Sequence, residues 1–201
     1  MDTDAFYNTI EKDGVAEHKE KGSRFIAYAN RVIHPKECKT RLHALKKVHP
    51  KATHHCFAYR LGLDKNNFRV SDAGEPSGTA GKPVLGQIDS RKLTNTQVVV
   101  VRYFGGSLLG TSGLINAYKS AAALVLQLTP IIQKPVEALY RLQFDYTQTN
   151  EVMMLLRQYG CTVLEQDMQL FCMVKMGIPV NKREEVVCRL QNLRNVQVDE
   201  A

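Results

Sequence analysis

Hydrophobic positions change their spacing several times along the chain, and each change marks an element. In 138–146, ALYRLQFDY, the residues Tyr140, Leu142, Phe144 and Tyr146 alternate with polar neighbours, the period of a half-buried strand. Thr149 or Asn150 caps a following helix whose inner face is Val152, Leu155, Leu156 and Tyr159, and Gly160 ends it. Strands over 161–168 and 170–178 come next as a hairpin. Asn181 caps another helix with Val186, Val187, Leu190 and Leu193 inward, and VQVDE supplies a final strand. This β-α-β-β-α-β order is that of a ferredoxin-like sandwich.

The earlier part of the chain mixes both periods. Residues 23–33, 53–62 and 66–72 read as strands, 35–50 as a helix between prolines, and 80–91 as a short helix. The run VVVV at 98–101 predicts a strand buried on both faces. It ends in an arginine and a glycine-rich loop, and an Ala- and Leu-rich helix follows over 112–128. Pro130 and Pro135 bracket a short connector between this α+β layer and the second domain.

Charge supports the same division. Residues 1–130 carry 19 Lys and Arg against 11 Asp and Glu, a net +8, whereas 131–201 carry 8 against 9, a net −1; together they give the chain's +7. A basic first domain favours nucleic acid or another anionic surface. No run approaches the ~18 apolar residues of a membrane span. The opening MDTDAFYNTIEKDG is acidic and unlike a secretory signal. Five cysteines, odd in number and without CxxC spacing, read as reduced thiols and not as a disulfide framework or zinc knuckle. A cytoplasmic protein without membrane contact, bound metal or cofactor is expected.

Four segments hold candidate chemistry. In VVVVRYFGGSLLGTSG, strand, glycines and helix start form the arrangement in which backbone N–H groups make an anion site. Thr111 and Ser112 are placed to cap the helix, and Arg102 on the same rim can reach a phosphate or carboxylate. The alternative is that Gly105, Gly106, Gly110 and Gly113 only permit a tight turn and close packing. Neither a Walker loop nor GxGxxG is present, so ATP and NAD binding are unsupported. The loop SDAGEPSGTAGKP gathers Asp72, Glu75, Ser77 and Thr79. Its carboxylates suit acid–base work or a divalent cation. A structural or binding role, with Asp72 organising a turn and Glu75 capping backbone, is the better reading. In THHCFAYRL, His54 and Cys56 share a strand face; a hydrogen-bonded core histidine outweighs a metal ligand or a nucleophile pair there. Finally, Lys36, Lys39, His43 and Lys47 line one face of the 35–50 helix, with Arg41 and Lys46 nearby and Glu37 as the lone acid. Like charges at i, i+4 cost a few tenths of a kcal/mol unless neutralised, which points to a phosphate-bearing partner.

The paired loops SDAGEPSGTAGKPVLGQI and VVVVRYFGGSLLGTSGLINAYKSAA resemble the IMPACT family of YigZ-like proteins, and KGSRFIAYA and KATHHCFAYRLG match it upstream. The likeness covers roughly 15–128. It implies a first domain over 1–132 of the ribosomal-protein S5 domain 2-like type. It also implies a ferredoxin-like second domain over 136–201, similar to the terminal domain of elongation factor G. Eukaryotic relatives regulate translation under stress by competing for the activator of an initiation-factor kinase, using an additional amino-terminal domain. The surface implied by the resemblance comprises His54, Asp72, Gly74, Glu75, Gly78, Thr79, Gly81, Arg102, Tyr103, Gly105, Gly106, Gly110 and Gly113. No catalytic mechanism accompanies it.

The expectation is a non-enzymatic, translation-associated binding protein. Its basic first domain contacts RNA or the ribosome through the Arg102 cleft and the 36–47 helix, and its second domain adds a protein or ribosomal contact. The alternatives are an enzyme acting on a small phosphorylated or carboxylated substrate, with Glu75 or His54 as acid–base group, and a protein–protein regulator of a stress-response translation pathway.

Overall fold

The computed structural model describes residues 5–64 and 66–201. The chain divides into two compact units, Tyr7–Lys134 and Pro135–Ala201, with Ala5 and Phe6 belonging to the second. Its described residues form a mixed α/β structure of three sheets and five α-helices. None of those helices is long and apolar enough to cross a membrane.

Within the first unit, elements follow in the order β1 (Phe6–Ile10), β2 (Gly14–Glu20), β3 (Ser23–Arg31), α1 (Pro35–Val48), β4 (His54–Leu61), β5 (Asn67–Ser71), α2 (Gly81–Ser90), β6 (Thr96–Tyr103), α3 (Gly110–Leu128) and β7 (Ile131–Pro135). Five strands make an antiparallel sheet in the order β2-β3-β6-β4-β5. The valine strand β6 is central, and Val98 to Val101 are all fully buried. Alternation explains how. Val98 and Val100 join Phe25, Ala27, Cys56 and Ala58 under α2 and α3, in a core with Tyr118, Ala121 and Val125. Val99 and Val101 face the other side, where Cys38 of α1 packs with Val32, Tyr59 and Leu61. The small residues Ala27, Ala29 and Ala58 let α3 approach the sheet closely.

Three elements lie outside what hydrophobic spacing predicted. Strand β1 comes from FYNTI and β2 from the mixed-charge stretch GVAEHKE, where the edge position of β2 leaves every residue but Ala16 exposed or half-exposed. The segment expected as a connector after Pro130 is instead strand β7, which pairs with β1. A proline at each end is compatible with a strand whose partner lies on one side only.

The second unit contains β8 (Glu137–Asp145), α4 (Thr149–Tyr159), β9 (Thr162–Met168), β10 (Phe171–Pro179), α5 (Arg183–Gln191) and β11 (Val196–Glu200). Its antiparallel sheet runs β11-β8-β10-β9. One sheet face, with Tyr140, Leu142, Phe144, Cys172, Val174 and Met176, closes on Val152, Leu155 and Leu156 of α4 and on Val186 and Leu190 of α5. The expected caps are displaced. Three-residue 3-10 turns precede both helices, so Thr149 is already helical and its hydroxyl donates back to the Tyr146 carbonyl at 2.7 Å, while Asn181 sits inside the second turn. Gly160 ends α4 in the left-handed conformation, φ 70°, where a side chain is disfavoured.

Candidate functional site

One end of the five-stranded sheet gathers the polar residues singled out in the sequence. Antiparallel pairing sets His54 at the start of β4 opposite Arg102 near the end of β6, and Phe25 of β3 opposite Arg102 on its other side. All three side chains point to the face covered by α2 and α3, because Cys56, Val98 and Val100, two residues along or more, are in that core. The loop from β5 to α2 lies over this end. Asp72 shapes it: Oδ2 accepts from the amide of Gly78 at 2.9 Å, and Oδ1 from Ala80 at 3.0 Å and Gly81 at 2.8 Å. Burial opposes ionisation of Asp72, but the three amide donors outweigh it and hold the carboxyl below its usual range. Thr79 is buried and donates to the Pro76 carbonyl, and Gly74 places its backbone beside the His54 ring.

This loop delivers Glu75 into the interior. Its side chain is 3% exposed, and three groups converge on Oε1: Arg102 Nη1 at 2.7 Å, the Tyr118 hydroxyl at 2.8 Å and His54 Nε2 at 3.8 Å. Arg102 is equally buried, 6% exposed, and lies between the rings of Phe25 and Phe104 at 5.4 and 5.6 Å. Its Nη2 approaches Ser23 Oγ, which also accepts the Gly105 amide. Arg102 was expected to await an anion from solution; within the chain its partner is Glu75. A buried guanidinium demands a counter-charge, and the chain supplies its own in Glu75.

The neighbouring groups are each held by a partner. His54 Nδ1 bonds the Ala73 carbonyl at 2.9 Å and must carry its proton there. Burial raises the Cys56 thiol to about 12, and its proton goes to the Asp72 carbonyl at 2.9 Å. Burial and the adjoining Cys56 and Glu75 push the Tyr118 phenol far above its usual range. At neutral pH neither group is a nucleophile.

The glycine-rich loop divides into a closed part and an open part. A Cβ on Gly105 would lie 2.0 Å from the carbonyl carbon of Gly22, so the 20–23 turn and the loop touch backbone to backbone. Beyond it the chain is exposed through Gly106, Ser107 and Leu108, and their amides have no acceptor among the described residues. Helix α3 begins at Gly110 without a side-chain cap. Thr111 and Ser112, expected as caps, fall inside its first turn with Gly113, because Gly110 enters the helix from φ 69° and starts it early.

Tyr103 belongs to the opposite sheet face. Its hydroxyl bonds His49 Nδ1 at 2.8 Å, and His49 Nε2 bonds the Tyr28 hydroxyl at 2.7 Å. His49 ends α1, so this chain of three rings fixes the carboxy-terminal end of the basic helix beside the start of the loop. Lys36, Lys39, Lys46 and Lys47 are exposed, and none has a carboxylate within ion-pairing distance among the described residues. Arg41 differs, pairing with Asp13 at 3.0 Å. Glu37 is occupied at the helix start, where it accepts the Ile33 amide. Tyr118, Ser23, Tyr28 and His49 had no visible role in the sequence. The one signal was Tyr118, a hydroxyl-bearing ring on the Ala- and Leu-lined inner face of α3.

Comparison with known proteins agrees with the paired loops. Residues 21–126 match the Impact N-terminal domain. An IMPACT family member from Haemophilus influenzae is 37% identical over 166 residues, which is 82% of this chain and 81% of that protein. The IMPACT family member YigZ of Escherichia coli is 36% identical over 173 residues, 85% of this chain and 84% of that one. A crystal structure described as that of a hypothetical protein superposes with a TM-score of 0.77 at 30% identity and covers 98% of each chain. The chain belongs to the IMPACT family.

Proposed function

We propose that this chain is a translation-associated regulatory protein that does no chemistry itself and contacts RNA or the ribosome through its first unit. The observation that carries the reading is the set of four exposed α1 lysines that have no carboxylate partner among the described residues. A helix that leaves like charges uncompensated is stabilised by an external polyanion, and each contacted phosphate releases counterions. The His49 link extends this surface to Phe104 and the open amides of the loop. Arg102, once expected to grip phosphate, instead supports the loop from beneath.

Family membership supports a regulatory role in translation. The β-α-β-β-α-β order, with its strands arranged 4-1-3-2, supports a ferredoxin-like second domain; an S5 domain 2-like first domain fits a sheet with helices on both faces. The ribosome is then the natural partner by fold analogy. The enzymatic alternative is weakened because Arg102, its anion-binding candidate, and Glu75, one of its acid–base candidates, are committed to each other.

The test is cosedimentation with ribosomes and with labelled RNA at low salt, for wild type and for Lys39→Glu with Lys47→Glu. The double variant loses most of its binding, and the slope of log affinity against log salt falls by roughly 0.7–0.9 for each phosphate contact removed. Unchanged binding and slope would overturn the proposal, and a defined protein captured by both forms would favour the protein–protein alternative.

A further inference from the structure

The outer face of the second sheet carries a groove that the reading above leaves unused. The helices α4 and α5 cover only the Leu142–Val174 face, so residues of opposite parity stand in solvent. Cross-strand register places Phe171 beside Asp145, and Met173 between Gln143 on β8 and Asp167 on β9; Gln143 in turn pairs with Gln197 on β11. These six residues form the outer-face part of a groove of about 760 Å³ whose lining also takes in Phe144, Cys172, Gln191, Leu193 and Val196 from the helix-covered side. Phe171 is 71% exposed and Met173 50%, and as i, i+2 neighbours on β10 they form one apolar ridge on a solvent face.

The charge of the groove is one-sided. Among the described residues no lysine or arginine lines it, while Asp145 and Asp167 do. Each carboxylate has one oxygen engaged by an amide side chain, Asp145 Oδ2 by Asn195 at 3.0 Å and Asp167 Oδ2 by Gln169 at 3.4 Å, and the other oxygens take no hydrogen bond from the described residues. The nearest cations on this face stand one pair further along the sheet: Lys175 of β10 is turned to Glu165 at 3.4 Å, and its cross-strand partner Arg141 of β8 sits opposite Asp199 of β11. With strands ~4.8 Å apart, the two aspartates flank the Phe171–Met173 ridge from opposite sides.

We infer that this face docks an extended, cationic segment of a partner polypeptide. Lysine or arginine stems lie along Phe171 and Met173, with their charges at the free Asp145 and Asp167 oxygens, and a cation over the Phe171 ring gains a further attraction. The amides of Gln143 and Gln197 offer both a donor and an acceptor, which suits a peptide backbone. RNA is a poor occupant, since its phosphates would meet two uncompensated carboxylates. The inference rests on the second unit alone and does not depend on the role given to α1.

The probe is a short fluorescein-labelled peptide alternating lysine with leucine, titrated with the full chain and followed by anisotropy. A second peptide has glutamine in place of lysine. The lysine peptide binds wild type, binds roughly tenfold more weakly to Asp145→Asn with Asp167→Asn, and is weakened again by Phe171→Ser; the glutamine peptide binds no better than the lysine peptide does to the double variant. These positions are on the solvent face, so melting temperatures stay close to wild type. Equal affinity of the double variant, equal binding of the two peptides, or labelled RNA that loses affinity with Phe171→Ser would overturn the inference. So would a wild-type dimer in sedimentation that dissociates in the double variant, since a second copy would then fill the groove. Loss of RNA binding in the α1 variant with peptide binding intact would leave this inference standing by itself.

Discussion

Arg102 and Glu75 form an ion pair of 2.7 Å whose members come from the central strand and from a loop 27 residues earlier, and both side chains are almost completely buried. Removing one member strands the other without a counter-charge, at a cost of about 3–5 kcal/mol. Arg102→Ala and Glu75→Ala therefore each lower the midpoint of chemical denaturation strongly. Replacing both, as Arg102→Met with Glu75→Leu, recovers most of the loss, because two apolar groups need no partner. A double-mutant cycle measured by urea denaturation checks this, and additive losses would show that the pair is not a unit.

Tyr118 separates the structural and reactive views of the same site. Tyr118→Phe keeps the ring against Phe25, at 5.1 Å and nearly perpendicular, and deletes the donor to Glu75 Oε1 together with the acceptor that Cys56 Sγ meets at 3.3 Å. A loss of about 1–3 kcal/mol is expected. RNA or ribosome binding measured well below the melting temperature stays unchanged.

The Asp72 loop makes stability depend on acid. Its carboxyl titrates lower in the folded chain than the ordinary 3.8, so the unfolded chain takes up the proton first. The contribution of Asp72 is fully present above that value and drains away as pH falls through the folded one. Asp72→Asn is less stable than wild type at pH 7, and the gap narrows below about pH 3.8 in pH-dependent denaturation.

Two histidines act near neutral pH. Burial and then Arg24 hold His49 below its ordinary 6.5, and burial and then Lys46 do the same to His55, whose Nε2 is buried without a partner. Protons therefore bind the unfolded chain more readily, and stability falls as pH drops from 6.5 through the folded values. Melting curves between pH 7 and pH 5 show this decline in wild type and a flatter profile in His49→Gln with His55→Gln. An unchanged slope would show that neither ring is held neutral.

Gly105 and Gly106 are adjacent and differ in what they demand. An added methyl at Gly105 meets Gly22 and Ser23 backbone at 2.0–2.3 Å, so Gly105→Ala forces the turn and loop apart and costs about 1–3 kcal/mol. At Gly106 the space is open and only the positive φ of 86° resists, so Gly106→Ala costs about 1 kcal/mol. Thermal denaturation of the two variants orders them.

Much of the secondary structure was written in spacing that any reader of the chain can see. The VVVV run had to be a doubly covered strand, the β8 alternation a half-buried one, and Gly160 a helix stop, since each reports a local conformation or a single face. Strands β1, β2 and β7 were not legible, because edge strands with mixed polarity hold their place through backbone pairing, which leaves no mark on side-chain period. The same limit applied to the site. Sequence gathered Arg102, Glu75 and His54 as polar residues near glycines, yet an arginine destined for a ligand and one destined for an internal carboxylate look identical along the chain. Only the register of β4, β6 and the 72–80 loop decided between them, by bringing a second buried charge within 2.7 Å. The lysines of α1 were legible because a helix face is a local property; that no carboxylate among the described residues answers them depended on where the rest of the chain went.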